Sequence, residues 1–567
     1  MLARMLAGLL PPRTGSAAGL YRRATAARAR GDWVRAADCY RRALAVQPDH
    51  ADAHNDLGVA LCALRDYAGA RAAFAQALEL SGEFVQARVN LAQLLQTEYR
   101  DYRHAAEHYR AALAAEPGQI QARNNLALTL YERGLVEEAI ACLRETQRLA
   151  PGDAQAHQFM LFMSNALPQR DAQLWYAEHC RWGRRHADDL PQYEHAPAGA
   201  VRRLRIGYVS ADLREHATAS FVRPILAGHD RESFDVFCYS NSDETDARTL
   251  ELQRQGHCWR SIAGVDDLRA AEQIRADAVD ILVDLSGHTR GNRLGVFARR
   301  PAPVQISYLG YLNTCGMNAM DYRITDAVAD PPGASEQLHR ETLLRLPQAL
   351  WCYQPPDDAP AVCAPPAQST GRITFGSFNH IAKLNDRLLN LWGELLCRVP
   401  DSRLLLMALP DEDCAARIRA VLEQHGVAAA RIRTLPRLVR SQYWQVYSEV
   451  DVALDPFPYT GGATTCDSLW MGLPVVTLAG SFGFARSATT ILANAGLAEF
   501  VAADERQYLD IASRLAGDVR ALGELRAGMR ERLLGSPLLD AGGFVQALEQ
   551  LYRELWRGAA GAGAASC

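Results

Sequence analysis

The chain has 567 residues, too many for one hydrophobic core, and that length predicts three or four domains. Hydrophobic residues make up 49% and charged residues 22%, as in a soluble globular protein, and a net charge of −4 gives no basic field to attract nucleic acid. Thirteen cysteines without a CxxC pair fit reduced thiols in a cytosol rather than a disulfide framework or a zinc site, and no run reaches the length of a membrane span.

The first residues, MLARMLAGLLPPRTGSAAG, only weakly mimic a signal peptide because they lack a convincing apolar core, and they predict a frayed or packed N-terminal segment. An internal period follows. The segments 36–48, 69–82, 104–117 and 138–151 align and end at Pro48, Gly82, Pro117 and Pro151, spaced 34, 35 and 34 residues apart, with the extra residue near Glu98 to Arg103. In each, a small residue (Ala36, Ala70, Ala105, Ala139) precedes a bulky one (Tyr40, Phe74, Tyr109, Leu143) by four positions, and Leu57, Leu91 and Leu126 fall in the partner helix. Small-against-large spacing lets two helices approach, and the closing Pro or Gly ends the second. This pattern resembles the tetratricopeptide repeat and predicts a binding array over about 17–165. Asn55, Asn90, Asn124 and Asn125 fall on first helices, where they either bond the backbone of an extended peptide or act as solvated or intra-repeat polar groups.

From Phe159 to His195 the chain stays helical, loses the period and is dense in aromatics, which predicts a helical cap closing a first domain over 17–195. A short linker follows, His195 to Ala200. Strand patterns at 204–210, 234–239, 281–285, 304–308 and 322–325, with a helix over 266–277, predict a Rossmann-like lobe over 203–353. The proline-rich 354–371 reads as an interdomain linker. A second α/β lobe over 372–557 has strands at 373–377, 403–407, 432–435, 450–454 and 474–478 and ends in an amphipathic helix, 543–557. Ligands of such open sheets bind outside the C-terminal strand ends, where His216, His288, Lys383 and a glycine loop all fall.

That loop lies in DPFPYTGGATTCDSLWMGLPVVT, 455–477. Gly461 and Gly462 let the backbone approach a phosphate, and Thr464 and Thr465 open a helix whose free N–H groups and dipole suit negative charge. Asp467, one turn in, could accept from ribose hydroxyls. The order predicts a seat for a nucleotide-sugar diphosphate.

RIGYVSADLREHATASF, ILVDLSGHTRGNRL, RPAPVQISYLGYLNTCGMNAMDYRITD, FGSFNHIAKLND and the glycine stretch, preceded by tetratricopeptide repeats, resemble the O-GlcNAc transferase/SPINDLY family over nearly the whole chain. The resemblance implies an α-helical tetratricopeptide solenoid followed by two Rossmann-like lobes of the GT-B type. It implies an inverting transfer of GlcNAc from UDP-GlcNAc to Ser or Thr of cytoplasmic polypeptides held by the repeat groove. No metal or other cofactor, nucleic acid or membrane is implied. Lys383 matches the family lysine on the diphosphate, Asp467 the ribose acid, Arg440 a basic position near the base, and His216 a histidine facing sugar and acceptor that orients the hydroxyl or takes its proton. A lysine at a helix start opposes the dipole, which favours a functional reading of Lys383. His288 and Thr289 are candidates for the acceptor side, with Asp212 and Asp277 behind them. The chain departs from the family at Leu312, where proline is frequent, at Ala463, where threonine is, and at His380, a nucleotide-sugar-binding position that is glutamine in the animal enzymes. These departures bear on nucleotide and donor affinity; a SPINDLY-like fucosyl donor, another hexose, and an inactive repeat scaffold are the competing expectations. Asp411-Glu412-Asp413 mimics an acidic metal motif but sits where acids cap a helix.

Overall fold

The structure is a computed structural model that describes residues 16–168, 171–195 and 202–564, with side chains described to residue 559. The apolar start, residues 1–15, and most of the short linker after His195 lie outside the described residues. The chain forms two compact units, the first ending at Leu149 and the second beginning at Ala150.

The first unit is four helix pairs: α1 (Ala17–Ala29) with α2 (Trp33–Val46), α3 (Ala51–Ala63) with α4 (Tyr67–Leu80), α5 (Val85–Leu94) with α6 (Tyr102–Ala115), and α7 (Ile120–Glu132) with α8 (Val136–Leu149). The small residues expected at close approaches, Ala36, Ala70, Ala105 and Ala139, have no exposed surface, and Tyr40, Phe74, Tyr109 and Leu143 are buried with them. Gly58 marks how close the helices come, since a Cβ there would lie 2.5 Å from the Phe74 ring. Each inner turn uses a residue of positive φ (Gly31, Arg65, Arg100, Gly134), and in three of them an aspartate follows. Asp32, Asp66 and Asp101 accept from the N–H groups of Arg35, Gly69 and His104, starting α2, α4 and α6. The extra residue of the third repeat is absorbed by one wide π turn, Leu95–Tyr99, at the end of α5.

In the second unit, α9 (Ala154–Met163) and α10 (Ala172–His186) bury Leu161 and Trp182 against Val209, Tyr239 and Leu282 of the first sheet. The division at Leu149 therefore places these helices with the first α/β lobe, whereas the loss of repeat period had placed them in the repeat domain. The first sheet has seven parallel strands: β1 (Leu204–Ser210), β2 (Phe234–Ser240), β3 (Cys258–Ser261), β4 (Ile281–Asp284), β5 (Val304–Ser307), β6 (Tyr322–Asp326) and β7 (Thr342–Leu346), in the order β3-β2-β1-β4-β5-β6-β7. The second has six: β8 (Thr374–Ser377), β9 (Arg403–Leu406), β10 (Ile432–Thr434), β11 (Val452–Leu454), β12 (Val475–Leu478) and β13 (Val501–Ala502), in the order β10-β9-β8-β11-β12-β13. The three strands absent from the sequence reading, β3, β7 and β13, are all sheet edges. They are short or partly exposed and lack the continuous apolar run that marks a buried strand.

The last helix, Ala541–Ala564, leaves the second sheet and packs on the first lobe. Val545 lies against Gly228, Tyr552 bonds Tyr208 at 3.2 Å, and Glu549 accepts from the backbone of Asp230. The lobe boundaries read from sequence are thus crossed twice, at 353–359 and 534–541, and no helix among the described residues is long and apolar enough to cross a membrane.

Candidate active cleft

Chain order reverses between β1 and β4 in the first sheet and between β8 and β11 in the second. Crevices form at such switch points, outside the C-terminal strand ends. The four loops there carry His216, His288, Lys383 and Gly461 in turn.

After β8, Asn379 is buried and His380 Nδ1 accepts from Ala382 N–H, which winds the turn Ile381–Lys383. That turn delivers the Lys383 ammonium to Thr460 O at 2.9 Å and Asn379 Oδ1 at 3.2 Å, 4.0 Å from the centre of the Tyr459 ring. Burial pushes the ammonium down to about 8, and the nearby Asp455 carboxylate only partly offsets this.

After β11, Asp455 is buried and fixes the glycine loop. Its Oδ1 accepts from Gly461 N–H at 2.8 Å and its Oδ2 from Thr477 Oγ1 at 2.7 Å. Burial raises its carboxyl to about 6. A Cβ on Gly461 would lie 2.4–2.8 Å from Thr465, Asp455 and Thr464 oxygens, so only glycine fits. Gly462 then caps the helix Ala463–Trp470 without a side-chain bond, leaving the first amides of that helix without a capping group. Thr464 Oγ1 donates to the same Asn379 oxygen that receives Lys383. The buried Thr465 hydroxyl has no partner among the described residues and lines a cavity of about 10 Å³ with Asn379, Asp455 and Thr464. Asp467, one turn along, accepts from Tyr353 at 2.7 Å and Tyr443 at 3.0 Å, and burial raises its carboxyl to about 6. The structure thus brings Lys383, Gly461, Gly462, Thr464, Thr465 and Asp467 together around one helix N-terminus. Asn379, Asp455, Tyr353 and Tyr443, which support them, were not singled out from the sequence.

Arg440 stands at the rim, where it pairs with Asp358 of the interlobe linker at 2.9 Å and with Glu215 of the first lobe. Beside Glu215, the His216 ring faces the charge of Arg437 from the second lobe, and its Nδ1 lies 3.1 Å from Thr218 Oγ1 and 3.7 Å from Asp212. Desolvation lowers its pKa, so the ring is neutral at neutral pH. These contacts place His216 across the crevice from the second lobe.

Other expected positions differ. His288 is fully buried, bonded to Cys315 O at 3.0 Å and edge-on to Trp182 and Tyr311, so it is a core histidine and offers no open acceptor face. Thr289 donates its hydroxyl to Ser286 O within its own turn. Asp277 pairs with Arg260 and accepts from Tyr239, a structural role. In the repeat unit, Asn90 donates to Asn55 of the preceding repeat at 2.8 Å, and Asn124 accepts from Thr146 of its own repeat at 2.8 Å, so these amides bond within and between repeats. Asp411 caps the helix Glu412–Glu423 by accepting from Cys414 N–H, and Glu412 pairs with Arg419. That is the helix-start reading of the acidic run.

The model of glycosyl transferase family 41 matches residues 175–353 and 367–548, a break that coincides with the proline-rich linker. Tetratricopeptide models match 21–95 and 96–160. A protein of Solanum lycopersicum named probable UDP-N-acetylglucosamine–peptide N-acetylglucosaminyltransferase SPINDLY is 41% identical over 72% of this chain and 45% of its own length. The probable enzyme named SEC from Arabidopsis thaliana is 30% identical over 67% of this chain and 40% of its own. The chain therefore spans about half the length of the curated relatives it matches. A solved O-GlcNAc transferase variant from Thermobaculum terrenum is 35% identical and superposes with a TM-score of 0.85, covering 90% of this chain and 98% of that one. With the repeats, both sheets and the glycine-loop crevice all accounted for, the chain belongs to glycosyl transferase family 41.

Proposed function

We propose that this chain moves GlcNAc from UDP-GlcNAc to Ser or Thr hydroxyls of polypeptides, with inversion and without a metal. One observation carries the reading: a partly buried lysine and the Thr464 hydroxyl, at the start of a helix with no side-chain cap, converge on the same Asn379 oxygen. Charge develops on the diphosphate as the sugar leaves. A preorganised cation and free amides in a closed crevice stabilise that charge with no reorganisation. Asp467, held by two tyrosines, faces the ribose. The neutral His216 ring, on the opposite lobe, orients the attacking hydroxyl or receives its proton. The repeats supply a peptide-binding surface, and the free thiols of all described cysteines support a reducing cytoplasm.

A second reading is a SPINDLY-like fucosyl or other hexosyl transfer. The six relatives named SPINDLY, 38–41% identical, carry names that state UDP-N-acetylglucosamine as donor, as does the worm enzyme at 25%. Incubating a peptide library with UDP-GlcNAc and GDP-fucose separately, followed by mass spectrometry, decides between donors. Thermal shifts with UDP and GDP run alongside, because a nucleotide at a hundred times its dissociation constant should stabilise by about 2.7 kcal/mol. Stabilisation by neither nucleotide, with no modified peptide, leaves only a repeat scaffold.

A further inference from the structure

A second cleft, of about 690 Å³, lies where the two chain crossings between the lobes meet. Pro224 and Ala227 of the first-lobe helix line one wall, linker residues Tyr353 to Asp357 another, and Trp470, Arg530 and Leu534 of the second lobe a third. The volume lies within the range of small-molecule sites, about 300–1,000 Å³. The wall is mostly apolar, and Leu534 is 65% exposed at its edge.

Two charges interrupt that surface, the Arg530 guanidinium and the exposed Asp357 carboxylate. Arg530 stacks 4.6 Å from the Trp470 ring and donates to Trp470 O at 2.8 Å and to Pro360 O. Its Nη1 donates to nothing, and no carboxylate comes within ion-pair distance of it, among the described residues. Asp357, the acid on the wall, is directed at Arg223, 3.8 Å away. The Trp470 indole N–H beside Arg530 also lacks an acceptor. Burial already disfavours the charged guanidinium. A partly desolvated cation in an apolar cleft is relieved by an anion that brings its own apolar body.

We propose that this cleft binds a small amphipathic monoanion, its apolar body against Pro224, Trp470 and Leu539 and its head group on Arg530. The site is distinct from the glycine loop. The helix Ala463–Trp470 begins at the loop and ends in this cleft, so the two lie at opposite ends of one helix.

The test is calorimetric titration of the full chain with octanoate and with the neutral octanol, repeated at saturating UDP. Octanoate should bind once per chain, at least about tenfold more tightly than octanol, the ratio expected of one charge-assisted contact. Arg530→Met should remove that preference. Ala227→Trp, at an exposed wall position whose substitution spares the fold, should abolish binding of both. Saturating UDP should leave octanoate bound. No binding, equal binding of acid and alcohol, unchanged binding to Ala227→Trp, or displacement by UDP overturns the proposal; displacement would place octanoate in the donor crevice.

Discussion

Replacing Lys383 with methionine should make the protein more stable while stopping transfer. Burial lowers this ammonium from 10.5 to about 8, which at neutral pH is worth about 3 kcal/mol against the charged form. Methionine removes that penalty and keeps an apolar stem over the Tyr459 ring. It also gives up the bonds to Thr460 O and Asn379, about 1 kcal/mol each, leaving a net gain of about 1 kcal/mol. Urea unfolding at pH 7 measures the gain. Between about pH 8 and 10.5 the folded lysine has lost its proton while the unfolded one keeps it, so wild-type stability rises there and the advantage of methionine shrinks. Turnover should fall by about 10²–10³, the effect of removing one preorganised charge-stabilising donor. Wild-type kcat/KM should itself decline as pH rises through about 8. A methionine variant that loses stability refutes the desolvation argument, and one with near wild-type turnover removes Lys383 from the mechanism.

Other positions make separate predictions. Gly461→Ala forces a Cβ to within 2.4–2.8 Å of three oxygens, so it should cost about 1–3 kcal/mol and weaken UDP binding at least about tenfold by calorimetry. Asp455 and Asp467, both raised to about 6, hold protons that unfolded carboxylates have lost, so stability should fall as pH rises from about 4 to 6. Asp467→Asn should flatten part of that slope in pH-dependent unfolding. UDP affinity of the wild type should decline as pH falls through about 6, where Asp467 is neutralised. Glu215→Gln breaks ion pairs of a half-exposed carboxylate with Arg440 and Arg248 and should change stability by less than about 1 kcal/mol, an effect that fades in high salt.

The period of the repeats was legible because close helix packing demands a small residue at one fixed place in every unit, and Ala36, Ala70, Ala105 and Ala139 supply it. The glycine loop and Lys383 were legible because few residue types let a backbone approach a phosphate or put a cation at a helix start. The support beneath them was not. Asn379 joins Thr464 across 85 positions and Tyr353 joins Asp467 across 114, and neither spacing has a local signature. Asp455 stood in the quoted stretch, at a strand end, where an acid marks a site as readily as a loop anchor. His288 shows the converse error: a strand-end position tells where along the sheet a residue lies and nothing of its depth. Edge strands such as Cys258–Ser261 hid because one ladder of neighbours requires no apolar run. The last helix read as amphipathic, but its pattern could not say which lobe received its apolar face.

A structure of the protein with UDP bound tests the central claim. Diphosphate oxygens should lie within about 3 Å of the Ala463 and Thr464 amides that open the helix and of Lys383 Nζ. Diphosphate held elsewhere, with Lys383 still turned to Thr460, would contradict it.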